Sequence, residues 1–402
     1  MLEDGRVLIY SHDSFGLGHL RRCRTIAHAL VERFRRLSVI ILSGSPIIGS
    51  FDFRARVDFV RVPGVIKLRN GDYTPLQLLI DIERTLEIRS SIIRHTAAVF
   101  DPHLFLVDKE PLGLRGEAES TLALLHERGA HCVLGLRDVM DDPAVVIEEW
   151  RRKGVFPALE RYYDEIWVYG LPEIFDPLRE IPGMTRFAER LSFTGYLERH
   201  RRHQLRPPVL TTLPDRPFLL VTTGGGGDGA DLVDWVISAY ETDPGIDVPA
   251  LLVFGPFMNV EQRQCFEKRA ARIPLLYSST FETEIEELYA RARAVVAMGG
   301  YNTFCEILSF GKPALIVPRT APRLEQALRA ERAASLGLVR TLDAREGRDP
   351  WRMAREIRAL EHWPRPDPAL AGRLLGGLER IAELAAPWLE PDAAPRAKRL
   401  RA

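Results

Sequence analysis

The sequence predicts an α/β protein of two domains, each built on a parallel sheet. Three observations carry this. The chain has 402 residues, more than one hydrophobic core commonly organises. Short apolar runs alternate with amphipathic stretches, the pattern of strands layered with helices. The alternation also stops once, at a proline-rich break, and then restarts.

In the first half, strands are expected at Arg6–Ser11, Ser38–Leu42, Asp58–Val62, Leu104–Val107, Cys132–Leu136, Glu165–Tyr169 and Leu191–Thr194. Several are apolar throughout, as when helices cover both sheet faces. The intervening helices are expected at Leu20–Phe34, Pro75–Phe100, Leu114–Arg128 and Ala144–Tyr162. The break, Glu198–Arg216, combines a basic cluster with Pro207, Pro208 and Pro214 and reads as a linker. Beyond it, strands are expected at Phe218–Thr222, Ala250–Phe254, Leu275–Tyr277, Ala294–Ala297, Ala314–Val317 and Leu338–Thr341. Helices fall near Asp231–Tyr240, Val260–Ala271, Glu282–Ala292, Thr303–Ser309, Leu324–Ser335, Trp351–Leu360 and Pro368–Ala386. The resulting division is a first domain over 1–198, a linker over 199–216, a second domain over 217–362, a C-terminal helix within 363–389 and a disordered basic tail over 390–402.

Lysine plus arginine and aspartate plus glutamate balance at 55 each, so no overall field favours nucleic acid. Cys23, Cys132, Cys265 and Cys305 form no CxxC pair and have no zinc-ligand spacing, which suits free thiols in a reducing cytoplasm. No apolar run is long enough to span a bilayer. The expected location is cytoplasmic, with peripheral contact at the inner face of the plasma membrane left open.

Ligands of such sheets bind beyond the carboxyl ends of the strands, so the residues following each strand are the candidates. The first strand runs into Ser11-His12-Asp13-Ser14-Phe15-Gly16-Leu17-Gly18-His19. Gly16 and Gly18 allow a tight turn, and His19 opens a helix, where the positive dipole end favours a neutral ring able to accept a proton. The first strand of the second half runs into Thr222-Thr223-Gly224-Gly225-Gly226-Gly227-Asp228-Gly229, with Asp231 as the expected N-cap. So many glycines suggest close approach of a ligand, such as a phosphate, to backbone amides.

The most specific element is Met298-Gly299-Gly300-Tyr301-Asn302-Thr303-Phe304-Cys305-Glu306, followed by Gly311-Lys312-Pro313-Ala314-Leu315-Ile316-Val317-Pro318. A strand, two glycines and a small polar helix start can hold a diphosphate on amides and on the Thr303 hydroxyl. Glu306, three residues after Thr303, shares its face and can accept both hydrogen bonds of a ribose diol.

These residues resemble the nucleotide-binding half of MurG-like glycosyltransferases. The likeness covers about Tyr277–Gly337 specifically and most of the chain loosely, and narrows to a bacterial group of MurG-like transferases without a settled substrate. It implies the GT-B fold: two Rossmann-like domains with parallel sheets facing across a cleft, and a C-terminal helix crossing back to the first. It also implies Phe281 beside the base, Glu306 on the ribose, the helix start on the diphosphate and Gln326 on the donor sugar. Glu325 and Arg329 stand where the family usually has other residues around that glutamine. Arg323 is a candidate for the donor phosphate, and Arg319 reads more simply as a surface arginine. The implied reaction is metal-independent transfer of a hexosyl or N-acetylhexosaminyl group from a nucleotide-diphosphate sugar, UDP-sugar first, to a glycan, lipid-linked or small-molecule acceptor. No cofactor is required.

Gly16–Cys23 also resembles the start of nucleotide-sugar hydrolases of nonulosonic-acid synthesis, in which the histidine is catalytic. With water as acceptor, His19 would then serve hydrolysis. The longer first domain favours a larger acceptor. His19 is the candidate base, with Asp108 or Asp138 as substitutes, and Asp108, Arg137 and Asp138 form a candidate acceptor pocket. The Val62–Thr74 segment mixes apolar and basic residues and could meet a membrane or cover the cleft. A nucleotide-sugar-binding protein without turnover, or an epimerase, are the remaining classes.

Overall fold

The computed structural model describes residues 4–13, 17–68, 72–200 and 216–389. Most of the expected linker, residues 201–215, and the tail from 390 lie outside the described residues. So do Gly16 and the other residues of 14–16. The chain divides into two compact units. One holds the described residues through Leu197 together with those from Gly376 onward, and the other is Glu198–Leu375.

The first unit is a seven-stranded sheet of β1 (Gly5–Ser11), β2 (Leu37–Ser43), β3 (Val57–Arg61), β4 (Leu104–Asp108), β5 (His131–Arg137), β6 (Glu165–Tyr169) and β7 (Leu191–Phe193). Their spatial order is β3-β2-β1-β4-β5-β6-β7, every pair parallel. All seven expected strands are present. The sheet is covered on both faces, which is why Val7, Leu8, Ile9, Phe105 and Leu106 are all fully buried. Chain order reverses between β1 and β4. A crevice opens at such a switch point, beyond the strand ends.

The second unit repeats the plan with β8 (Leu219–Thr222), β9 (Ala250–Val253), β10 (Leu276–Ser279), β11 (Ala294–Ala297), β12 (Ala314–Ile316) and β13 (Arg340–Thr341). The order is β10-β9-β8-β11-β12-β13, again all parallel. Its switch point lies between β8 and β11. The fold is GT-B, with two Rossmann-like halves.

Several helices differ from expectation for local reasons. The helix expected from Pro75 begins at Ile82, because Tyr73–Pro75 pairs with Val65–Lys67 in an antiparallel ribbon and Asp81 caps the helix through the Arg84 amide. The Ala144–Tyr162 helix is two, Pro143–Arg152 and Val155–Tyr162, separated by Gly154 at φ 64°. The helix expected at Leu114–Arg128 is a short 3₁₀ turn followed by Glu119–Glu127. Asp231 is not an N-cap. Helix Ala230–Thr242 begins after Gly229, without a side-chain cap.

The helix expected over Pro368–Ala386 is also two. Pro368–Leu374 stays with the second unit and Gly377–Leu389 packs in the first, against β1, β4 and the helix Gly18–Arg33. Gly376, at φ 99°, makes the turn. Gly377 then lies so close to the Gly195–Tyr196 backbone that a Cβ would sit 2.5 Å from the Gly195 oxygen. Near the other end of this helix, Trp388 stacks on His131 with ring centroids 3.8 Å apart. Among the described residues, no helix is long and apolar enough to cross a membrane.

Candidate functional site

Each unit places a cluster of polar side chains at its own switch point. In the first unit, helix Gly18–Arg33 follows β1, with Gly18 its first residue and His19 its second. His19 Nδ1 lies 2.5 Å from Oδ2 of Asp108, the last residue of β4. Arg22 clamps the same carboxylate, Nε to Oδ1 at 2.8 Å and a terminal nitrogen to Oδ2 at 2.6 Å. Asp108 is fully buried. Burial would raise its pKa, but Arg22 and His19 outweigh that and hold the carboxyl well below the usual carboxylate range. With the carboxylate fixed as an anion, Nδ1 of His19 carries the proton and Nε2 is the acceptor. Burial also lowers the His19 pKa, against the opposing pull of Asp108. The direction is the expected one, though burial rather than the helix dipole is its main cause.

Asp108 therefore orients His19, and both its oxygens are engaged by His19 and Arg22. Asp138 is likewise buried and accepts a 2.6 Å hydrogen bond from the Tyr196 hydroxyl. Arg137, at the end of β5, is half-buried.

Three neighbours were not singled out from sequence. Asp13 is buried and ties the ends of β1 and β2 to the first turn of the helix. It accepts from Ser11 and Ser43 hydroxyls at 2.6 Å each and from the Leu20 amide at 3.2 Å. His12 lies edge-on to His19, with ring centroids 5.7 Å apart. Burial pushes its pKa down to about 3, so it stays neutral. Arg22 had a sequence signal: three residues after His19, it falls on the same helix face.

In the second unit, two of the glycines after β8 are packed closely against protein. A Cβ on Gly226, at φ 89°, would lie 2.3 Å from the Phe254 oxygen, and one on Gly229 would lie 2.2 Å from the Thr223 Cβ. The Thr223 hydroxyl donates to the Phe254 oxygen, and the Phe257 amide to the Gly225 oxygen. The loop is thus packed backbone to backbone against the one following β9. Amides of Gly224, Gly226 and Gly229 are already used within it. Gly226 and Gly229 thus have protein as their close neighbour, whereas Gly224 is exposed and nothing lies within 4 Å of where its Cβ would be.

The turn after β11 is open at its helix start. Gly299, at φ 76°, packs so closely on Ile316 that a Cβ would meet its Cγ2 at 2.7 Å. Gly300 is the N-cap of helix Tyr301–Ser309, and no atom lies within 4 Å of where its Cβ would be. The amides of Tyr301, Asn302 and Thr303 cannot be spent inside the helix they begin. Asn302 is buried and its Oδ1 accepts from the Arg199 guanidinium at 2.8 Å. Arg199 falls in the expected linker, yet it is 4% exposed. Its own amide donates to Ser309 Oγ of the same helix at 2.9 Å. Among the described residues no carboxylate pairs with it. A second buried arginine, Arg329, donates to the Gly299 oxygen at 3.0 Å.

Glu306 is 1% exposed, so it is a buried carboxylate rather than a solvent-facing helix residue. Glu325 and Gln326, at the start of helix Glu325–Ser335, are buried too. Arg319 is half-buried and paired rather than free on the surface. Its guanidinium joins Asp228 of the glycine loop to Glu325, and its amide donates to Gln326 Oε1 at 3.1 Å. Arg323 is half-buried, as is Phe281 in the segment between β10 and helix Ile285–Arg291.

Residues 218–363 match the glycosyltransferase family 28 C-terminal domain. Over 191 residues the chain is 28% identical to the UDP-N-acetylglucosamine–N-acetylmuramyl-(pentapeptide) pyrophosphoryl-undecaprenol N-acetylglucosamine transferase of Rhodopseudomonas palustris (strain BisA53). That match covers 44% of this chain and 49% of the relative, so the chain spans about half the length of the curated relative it matches. Among solved structures, MurG of Acinetobacter baumannii superposes with a TM-score of 0.55 at 12% identity, over 94% of this chain and 98% of that one. The calicheamicin glycosyltransferase CalG4 gives 0.59 at 17% identity, over 98% and 100%. TcCGT1, solved in complex with UDP, gives 0.63 at 13% identity, over 96% and 95%. At these identities the structures establish the fold. The comparisons lend the hydrolase reading no support.

Proposed function

We propose that this chain, whose second unit carries a glycosyltransferase family 28 C-terminal domain, moves a sugar from a nucleotide-diphosphate sugar to an acceptor hydroxyl. The observation that carries the proposal is Arg199. It is a buried cation at the open start of a helix, without a carboxylate partner among the described residues, hydrogen-bonded only to neutral oxygens there. A buried charge requires a counter-charge, and a diphosphate supplies one.

In this reading the second unit clamps the leaving group. Amides of Gly300–Thr303 and the Arg199 guanidinium take up the charge that develops on the diphosphate as the bond to the sugar anomeric carbon breaks. Glu306 accepts from the ribose diol, Phe281 lies beside the base, and Glu325 and Gln326 address the donor sugar, with Arg323 near the phosphates. The first unit supplies the base. Nε2 of His19 removes the proton of the acceptor hydroxyl while its oxygen attacks the anomeric carbon, and Asp108 balances the imidazolium that forms. No metal is needed for either step.

UDP is the favoured nucleotide, because the curated relative's name specifies a UDP-sugar and one structural neighbour holds UDP. A lipid-linked acceptor is the leading class, and Leu68, Leu78, Leu79 and Ile80 support contact with a membrane surface. They are exposed apolar residues close together in sequence in the first unit.

A thermal-shift screen of uridine, guanosine and thymidine diphosphates and their sugars tests the nucleotide site. One nucleotide should stabilise the protein, and Glu306→Ala should remove the effect. If no nucleotide shifts the melting temperature, the reading is wrong. Release of free sugar without an acceptor would identify a hydrolase, and binding without turnover on any acceptor would identify a binding protein.

A further inference from the structure

The loop between β12 and helix Glu325–Ser335 holds an arrangement that nucleotide binding alone does not require. Arg319 makes three contacts from one position. Its guanidinium binds Asp228 of the glycine loop and, at 3.2 Å, Oε1 of Glu325. Its backbone amide donates to Oε1 of Gln326 at 3.1 Å. Glu325 and Gln326 are 4% and 7% exposed. Arg319 itself is partly exposed, with 26% of its side chain accessible.

We propose that Arg319 is a positioning residue that sets which sugar hydroxyls the site recognises, by fixing Glu325 and Gln326 against the glycine loop. This deepens the nucleotide-sugar reading and rests on it. A backbone N–H only donates, so the Gln326 atom facing it is the carbonyl oxygen. The Gln326 NH₂ group is thereby turned to the other side, as a donor. Glu325, an acceptor, is held beside it by a cation that would otherwise be free to rotate. The pair becomes an oriented donor and acceptor, suited to two neighbouring hydroxyls of a sugar, while the negative charge of Glu325 disfavours a phosphate there. Asp228 anchors the guanidinium from the opposite side. Without it, one terminal nitrogen loses its partner and the side chain can leave Glu325.

The site's selectivity then comes from rigidity as well as from residue type. A sugar with an inverted hydroxyl leaves a buried donor or acceptor without a partner, and the protein cannot turn the amide over to compensate.

Titration calorimetry with UDP and with a panel of UDP-glucose, UDP-galactose and UDP-N-acetylglucosamine tests this. In the wild type, the preferred sugar should add affinity over UDP and be distinguished from the others. Arg319→Gln and Asp228→Asn should each leave the Kd for UDP within about twofold. They should reduce discrimination between the sugars about tenfold, the loss expected for about one hydrogen bond to a charged group. Arg319→Lys keeps the backbone contact and one charge, and should fall between. The proposal is overturned if the variants lose UDP and UDP-sugars equally, if they retain full discrimination, or if the attached sugar adds nothing in the wild type. Absence of UDP binding by the wild type overturns the nucleotide reading itself, and that result is distinct from the others.

Discussion

His19 and Asp108, 89 positions apart in sequence, meet at 2.5 Å because β1 and β4 are neighbours at the point where the sheet reverses its order. A helix start delivers the imidazole and a strand end delivers the carboxylate. Arg22, one turn along the helix, keeps that carboxylate charged and still.

If His19 is the base, His19→Ala should lower kcat about 10²–10⁴-fold while leaving nucleotide affinity unchanged. The active form is the neutral ring, so the rate should rise with pH. Burial lowers the His19 pKa from 6.5, so the acid limb of kcat/KM should lie below 6.5 and the profile should be flat around neutrality. Asp108→Asn removes the group that opposes this lowering and should move the limb lower still while reducing kcat. A limb above 6.5 in the wild type would exclude His19 as the titrating base.

Burial holds His12 at about 3, against an ordinary 6.5. Between those values the unfolded chain binds a proton that the native state does not. Native stability should therefore decrease as pH falls through this window. Depressed carboxylates such as Glu110, ordinarily near 4.5, contribute the same trend at lower pH. Chemical denaturation of His12→Gln between pH 6.5 and 4.5 should show a shallower decline than the wild type. Equal slopes would mean that the native state protonates His12 after all.

Arg199→Ala should weaken UDP binding about tenfold or more, as expected for a lost charge-assisted contact. Uridine, which lacks phosphate, should bind the variant and the wild type alike. Calorimetry with both ligands checks this. A uniform loss for uridine and UDP would instead mean that Arg199 only supports the helix through Asn302 and Ser309.

Two glycines should respond in opposite ways. Gly226→Ala combines a positive φ with a Cβ 2.3 Å from a backbone oxygen, and should cost about 1–3 kcal/mol of stability. Gly300 has an ordinary φ of −59° and open space around its Cβ position. Gly300→Ala should leave the melting temperature nearly unchanged and still weaken UDP binding, because the methyl group occupies the approach to the helix amides. Melting curves and UDP titrations on the two variants read both effects.

Much of the fold was legible in the sequence. Continuous apolar runs marked the strands of both sheets, because a strand covered on two faces has no polar side. Helix ends were less legible. Gly154 and Gly376 break what periodicity presents as single helices, since apolar spacing carries through a turn whose backbone reverses. Within the site, Gly299–Glu306 could be read from a strand, two glycines and a helix start, all local. The glycines of Gly224–Gly229 were less legible for a related reason. Glycine marks close backbone approach, but sequence does not say whether a ligand or the loop after β9 makes it.

By itself the sequence determined two parallel α/β halves, the glycine turn at Gly299–Gly300 and a histidine at the start of the first long helix, because each depends on residues within one or two turns. Only the tertiary structure decided that Asp108 orients His19, that Asp138 is engaged by Tyr196, that Arg319 joins Asp228 to Glu325, and that Arg199, inside an apparent linker, is buried against Asn302. These pairings join residues from separate strands, helices and loops, and the charge state and orientation of each group depend on a partner that no local pattern names.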